Sequence, residues 1–111
     1  MVKSRRPRRG DVYLVGLEPT QGSEIRKTRP CLIVSPDELN DYLRTLVVAP
    51  MTTGGHSYPW RLPCQFRRRS GFVAVDQLRT VDNHRLLKRL GQLPTATLSR
   101  VLGTLQQMFA D

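Results

Sequence analysis

Acid is scarce in this chain. Nine Asp and Glu residues stand against 18 Lys and Arg among 111 residues, a formal net charge of +9. Lys3, Arg5, Arg6, Arg8 and Arg9 all precede the first acid, so residues 1–9 read as a basic arm ahead of a single domain over residues 10–111. A second basic run, Arg67-Arg68-Arg69, lies mid-chain with Arg61 nearby. Such an imbalance favours a polyanionic partner, because each cation that neutralises a phosphate releases condensed counterions.

Cysteine is scarce too. Cys31 and Cys64 are too few for a disulfide framework, and no Cys/His pair has zinc-ligand spacing. Cys31 opens an apolar run and reads as a small buried hydrophobe. No apolar stretch reaches membrane length, and the basic N-terminus lacks the apolar segment of a signal peptide, so the reading is cytoplasmic with no membrane association. There is no internal repeat, and a chain of this length is expected to build one apolar core.

What is present is a set of short apolar runs divided by turn residues. Val12 to Val15, Pro30 to Ser35, Leu43 to Ala49 and Gly71 to Val75 read as strands, and Tyr58 to Pro63 as an edge strand, since Pro59 and Pro63 cannot donate to a ladder. The third strand is expected to end at Pro50. Pro36 to Asp41 reads as a turn or at most one helical turn. Residues 83–93 mix leucine with Arg85, Lys88 and Arg89 and fit strand or helix. After Pro94-Thr95, the spacing of Leu98, Val101, Leu102, Leu105, Met108 and Phe109 predicts an amphipathic helix. About five strands and one terminal helix make a small α+β barrel.

Chemistry concentrates where polar loops meet strands. The stretch from Pro19 to Ser35 sets Glu24, Arg26, Lys27 and Arg29 against an apolar strand, and Pro30 favours extended backbone at Arg29. A second loop, from Met51 to Ser57, offers Thr52, Thr53 and two glycines, and Asp76-Gln77 follows a strand. With a polyanion as partner these residues suit phosphodiester cleavage. RNA is cut without a metal when its own 2′-hydroxyl attacks the adjacent phosphate, a route closed to DNA. That reaction needs a base, for which Glu24 or Asp76 is the candidate, and fixed charge and donors on the phosphorane oxygens, for which Arg29 and Thr52 are suited. His56 and His84 are set aside, since a lone His in loop sequence is more often solvated.

Several of these segments, in order, carry a resemblance. Gly10-Asp11-Val12-Tyr13-Leu14-Val15, Pro19-Thr20, Gly22-Ser23-Glu24, Thr28-Arg29-Pro30, Ser35-Pro36, Val48-Ala49-Pro50-Met51-Thr52-Thr53-Gly54-Gly55 and Gly71-Phe72-Val73 through Val75-Asp76-Gln77-Leu78-Arg79-Thr80 together resemble the MazF/PemK (Kid) family of toxin–antitoxin endoribonucleases. The resemblance implies an SH3-like barrel (CcdB/Kid/MazF-like) with a C-terminal helix, and a homodimer that cuts single-stranded mRNA without metal or other cofactor, inhibiting translation and growth. It also implies a cognate antitoxin, which the basic surface requires to be acidic. It puts the family's essential Arg on Arg29, its loop Glu on Glu24 and its active-site Thr on Thr52, with Thr53 next in line if the loop alignment shifts by one. Ser23, Arg26, Lys27, Asp76, Gln77 and Arg79 form the secondary, RNA-binding set. One branch of the family has an Arg two positions before the Asp-Gln pair and a His before the loop Glu; this chain has Ala74 and Ser23, which moves weight from Asp76 to Glu24 and Arg29. Two other readings fit the composition: an SH3-like module that binds nucleic acid without cutting it, and a CcdB-like topoisomerase poison. An acid placed beside Arg29 and Thr52 favours the enzyme, because a pure binder needs only cations.

Overall fold

Runs rich in β-branched residues gain by packing on a pleated surface, and the computed structural model, which describes residues 6–19 and 22–111, gathers them into an antiparallel sheet. The strands are β1 (Asp11–Gly16), β2 (Thr28–Ile33), β3 (Thr45–Thr52), β4 (Arg61–Phe66), β5 (Arg69–Ala74), β6 (Arg79–Asp82) and β7 (Leu86–Gln92). Two helices complete the chain, α1 (Asp37–Tyr42) and α2 (Thr95–Met108). The strand order is β4-β5-β3-β2-β1-β7, with β6 also paired to β3.

The sheet curls into a half-barrel because β3 changes partner along one edge. Thr45 to Val48 pair with β6, whereas Met51 and Thr52 pair with β5. Pro50, which has no N–H to give, falls in the gap between those two ladders and pairs on the other side with Cys31 of β2. The expectation that Pro50 ends the strand is therefore corrected: β3 runs on to Thr52. β4 is an edge strand, as Pro63 within it implies, although it covers Arg61–Phe66 rather than Tyr58 to Pro63.

A curled sheet buries both faces, and two apolar clusters result where one core was expected. Leu32, Val34, Ala49, Met51, Val73 and Val101 lie in the cluster that α2 covers, while Tyr13, Val15, Cys31, Ile33, Val48 and Val81 form the second. This is why β2 reads as a continuous apolar run: Cys31 and Ile33 enter one cluster, and Leu32 and Val34 the other. α2 contributes Leu98, Val101, Leu105 and Met108 to the first cluster, whereas Phe109 caps the helix end and is 74 % exposed. Burial pushes the Cys31 thiol up to about 12, against the opposing pull of Arg79 and Arg29.

Three further stretches take a definite form. Where the sequence suggested a turn or one helical turn at most over Pro36 to Asp41, a six-residue helix runs from Asp37 to Tyr42, held because Asn40 is buried and exchanges hydrogen bonds with Ser35: the Ser35 hydroxyl donates to Asn40 Oδ1 at 2.6 Å and Asn40 Nδ2 donates to the Ser35 carbonyl at 3.1 Å. The ambiguous stretch after Asp82 is a short 3₁₀ turn, Asn83–Arg85, followed by β7, which pairs with β1. The arm is described only from Arg6 onward, and there Arg8 and Arg9 are held on the body: Arg8 pairs with Asp37 at 3.1 Å and Arg9 Nε donates to the Val34 carbonyl at 2.8 Å. Lys3, Arg5 and the Thr20 of the long loop lie outside the described residues.

β4 and β5 are joined by a two-residue turn, Arg67-Arg68, closed by the pair Phe66 and Arg69. Both turn residues have positive φ, 52° and 64°, as a tight hairpin of this twist demands. Asn-Gly is the usual occupant, and each L-residue in that conformation costs roughly 1–2 kcal/mol.

Candidate active site

Two strand ends, neighbours at one end of the antiparallel β2–β3 pair, line one open cavity. Thr28 and Arg29 begin β2, paired with Gly16 and Val15 of β1, and Thr52 ends β3. Arg29 and Thr52 therefore stand on strands and not on the loops where the sequence set them, which fixes their Cα positions more tightly than a loop does. The Arg29 guanidinium Nε donates to the Arg26 carbonyl at 3.3 Å, and the Thr52 hydroxyl donates to the Gly54 carbonyl at 3.1 Å. Arg29, Thr52 and Thr53 line one cavity of about 440 Å³. Thr28 and Ser70 add hydroxyls, Pro30, Met51 and Phe66 give it an apolar floor, and Arg67 and Arg69 enter from the hairpin turn. Among the described residues no carboxylate lines it.

Glu24 stands elsewhere. It lines a smaller cavity of about 180 Å³ with Asp76, Gln77 and Arg79, at the level of Pro50. The cause is a hydrogen bond over a long sequence separation: the Ile25 N–H donates to Gln77 Oε1 at 2.7 Å and draws the loop onto the 3₁₀ turn Val75–Gln77. The expected trio of Glu24, Arg29 and Thr52 is thus divided, with the charge and hydroxyl donors in one cavity and the carboxylates in its neighbour. The same loop is fixed again where the Lys27 N–H donates to Glu18 Oε1 at 2.9 Å and the Lys27 carbonyl accepts from the Leu17 N–H at 3.0 Å, with Lys27 at φ 71°. Arg26 curls back so that its guanidinium donates to the Gly22 carbonyl at 3.0 Å, and Ser23 is exposed; neither lines either cavity.

Asp76 is already engaged. Arg61 clamps it with Nε on Oδ1 at 2.5 Å and Nη2 on Oδ2 at 3.0 Å, and the same guanidinium lies 5.2 Å from the centre of the Tyr58 ring. The hydrogen bond to that carboxylate moves the Arg61 pKa further above its ordinary value. Arg61 is paired across the ladder with Ala74, so the cation that meets Asp76 comes from the neighbouring strand. Arg79 donates to the Leu17 carbonyl at 3.1 Å, tying β6 to the end of β1. His56 and His84 are both exposed and line neither cavity, and among the described residues no three His, Cys, Asp or Glu side chains converge as a metal site.

The sequence reading missed Arg61, Ser70, Phe66 and Gly71 as parts of these sites. Gly71 had a legible signal, a glycine inside a strand pattern, which marks a close backbone approach. A Cβ built there lies 2.0 Å from the Thr52 carbonyl oxygen, so only glycine lets β5 seat against the strand end that carries Thr52.

A curled antiparallel half-barrel with one cavity that combines arginines and hydroxyls without an acid defines a small α+β domain with a site suited to an anion. The family model described as PemK-like, MazF-like toxin of type II toxin–antitoxin system matches residues 8–109, and the chain belongs to that family. It is 41 % identical over 103 residues to the endoribonuclease PemK of Escherichia coli, a match covering 87 % of this chain and 77 % of the relative. In structure it is similar to MazF from Deinococcus radiodurans, with a TM-score of 0.84 at 26 % identity over 95 % of this chain and 97 % of that one. It is also similar to a mycobacterial endoribonuclease solved in complex with its cognate antitoxin, with a TM-score of 0.77 at 25 % identity over 91 % and 92 % of the two chains.

The Gly71 contact generates a stability test with its own control. Gly71→Ala is expected to destabilise the fold by about 1–3 kcal/mol through overpacking. Gly103→Ala, in open space on α2, is expected to stabilise it by about 0.5–1 kcal/mol. Thermal unfolding of both variants checks this, and an unchanged midpoint for Gly71→Ala would mean that the strands do not approach so closely.

Proposed function

We propose that this chain is the toxin of a type II toxin–antitoxin pair, a sequence-selective endoribonuclease that cuts single-stranded mRNA in the cytoplasm and so stops translation and growth. The observation that carries the reading is the gathering of Arg29, Thr52 and Thr53 in one acid-free cavity of a chain belonging to the toxin family. In this reading the 2′-hydroxyl of the nucleotide 5′ to the cut gives its proton to a base and attacks the phosphate, forming the new O–P bond while the bond to the 5′-oxygen breaks and that oxygen takes up a proton from a donor. The products are a 2′,3′-cyclic phosphate and a free 5′-hydroxyl. Arg29 holds the non-bridging oxygens with its planar fork as charge gathers on the phosphorane, and the Thr52 hydroxyl, released from the Gly54 carbonyl, adds a donor. No ligand set for a metal is legible in the sequence, and the route needs none.

The separation of Glu24 from this cavity bears on the base. For Glu24 to take the 2′-proton, the loop held by Gln77 must shift when RNA enters, or the base must come from a second copy of the chain in a homodimer. The acid-free cavity alone also suits a binder that does not cut, so cleavage is the discriminating property. The topoisomerase-poison reading has no observation in its favour.

An acidic antitoxin follows from the charge. A segment that silences the enzyme by occupying this cavity must present carboxylates to Arg29, Arg67 and Arg69 in place of phosphate oxygens. It must also carry apolar anchors for the floor around Phe66, because exposed ion pairs contribute only about 0–1 kcal/mol each.

Two outcomes are expected. Arg29→Ala and Thr52→Ala each lower cleavage of a mixed-sequence RNA, assayed in excess EDTA, by about 100- to 1000-fold with an unchanged circular dichroism spectrum. Wild-type rates in both variants would remove the assignment. Second, an acidic antitoxin tail displaces labelled, uncleavable RNA in a competition titration, with mutual exclusion. If tail and RNA bind together without weakening one another, inhibition does not work through this cavity.

A further inference from the structure

The hairpin joining β4 and β5 is an unusual place for charge. A tight turn with both residues at positive φ is most stable with Asn-Gly, and here it holds Arg67 and Arg68, followed directly by Arg69. Strain kept in a surface turn points to a use for the side chains rather than to stability. Their roles divide. Arg67 donates to the Leu90 carbonyl of β7 and lies 5.7 Å from the centre of the Phe66 ring, so it pins the turn to the far strand. Arg68 stands at the tip, outside the cavity. Arg69 lines the cavity that holds Arg29 and Thr52, and among the described residues no hydrogen bond or ion pair engages its guanidinium. Three arginines thus border one cavity with no carboxylate on its walls.

One phosphate in contact with Arg29 leaves that charge unbalanced. We infer that Arg69 forms a second phosphate subsite, which holds the backbone phosphate next to the one that is cut, with Arg67 as the brace that keeps the hairpin in place. The inference rests on the functional reading above and deepens it: the cavity takes two consecutive phosphates of one RNA strand, and Arg69 is a binding residue for the phosphate that does not react. The strained turn then has a purpose, since a two-residue connection puts Arg69 at the first position of β5, on a strand whose place is fixed by Gly71 against Thr52. A longer, relaxed loop would carry the same charge without holding it at a set distance from Arg29.

The test uses the full-length protein and a single-stranded RNA with 2′-fluoro sugars, which has no hydroxyl to attack and so reports binding alone. Affinity is measured as a function of salt for wild type, Arg69→Ala, Arg69→Lys and Arg68→Asn. Arg68→Asn is the control: it removes the same unit of charge one residue away, outside the cavity, and Asn tolerates the positive φ. Arg69→Ala is expected to weaken binding roughly tenfold and to make the slope of log affinity against log salt shallower by about 0.7, the loss of one phosphate contact on a single strand. Arg69→Lys should recover most of the slope, because the charge returns even though the fork does not. Arg68→Asn should leave the slope at the wild-type value. If Arg69→Ala and Arg68→Asn give the same slope while wild type binds and Arg29→Ala does not cleave, the hairpin subsite is wrong and the functional reading stands. If wild type binds no RNA at any salt, the functional reading falls and takes the subsite with it.

Discussion

Everything in this fold that bears on chemistry depends on β3 pairing with β2 on one edge and with β6 and then β5 on the other. A strand paired along its length with one neighbour would leave the sheet flatter and its ends in solvent. Because β3 hands over from β6 to β5 at Pro50, the residue that cannot donate to either ladder, the sheet turns there, and the two residues beyond it, Met51 and Thr52, are carried onto β5. The close seat of Gly71 under the Thr52 carbonyl makes that turn tight. Arg29, two residues before the β2–β3 ladder ends at Cys31 and Pro50, reaches the same cavity from the neighbouring strand. The cavity is a product of the curl, and its residues come from strands that lie far apart in sequence.

The second consequence is a separation of charge. Cations and hydroxyls face one cavity, while Glu24 and Asp76 face the next, each under a local constraint: Gln77 anchors the backbone beside Glu24, and Arg61 occupies both oxygens of Asp76. A phosphate diester entering the first cavity meets no repulsion from an acid, which matters because a carboxylate within a few ångströms would offset much of what Arg29 contributes. On the proposed route the cost falls on proton transfer, since the carboxylates that the sequence offered as bases stand outside this cavity. The pair Ile25 and Gln77 is therefore the point where loop movement and chemistry would be coupled.

How much of this was legible in the sequence follows from how far each contact reaches along the chain. The strands rich in Val and Ile and the helix α2 show themselves through local periodicity, and their cores agree with it at Val12, Leu32, Val73 and Val101. Helix α1 is too short for periodicity and depends on Asn40 meeting Ser35, an exchange of hydrogen bonds that no pattern announces. β7 hides because it is a strand at the edge of the sheet, where Leu87, Lys88 and Arg89 are all exposed and no alternation of apolar and polar residues marks it. At the site, Arg29 and Thr52 were readable from Thr-Arg-Pro and Thr-Thr-Gly-Gly, and the structure brings both to one cavity. The displacement of Glu24 was not readable, because it is set by a side chain 52 residues away. Nor was the entry of Arg69, which depends on the register of β4 with β5.

The central claim is that RNA supplies its own nucleophile in the Arg29–Thr52 cavity. The most direct measurement is mass spectrometry of the products from two oligoribonucleotides of one cleavable sequence, one all-ribose and the other with a single 2′-deoxy sugar 5′ to the cut. The account predicts a 2′,3′-cyclic phosphate on the 5′ fragment of the first and no cleavage at that bond in the second. Cleavage of the deoxy-substituted strand at the same bond and a comparable rate would contradict it, since the attacking oxygen would then have to come from elsewhere.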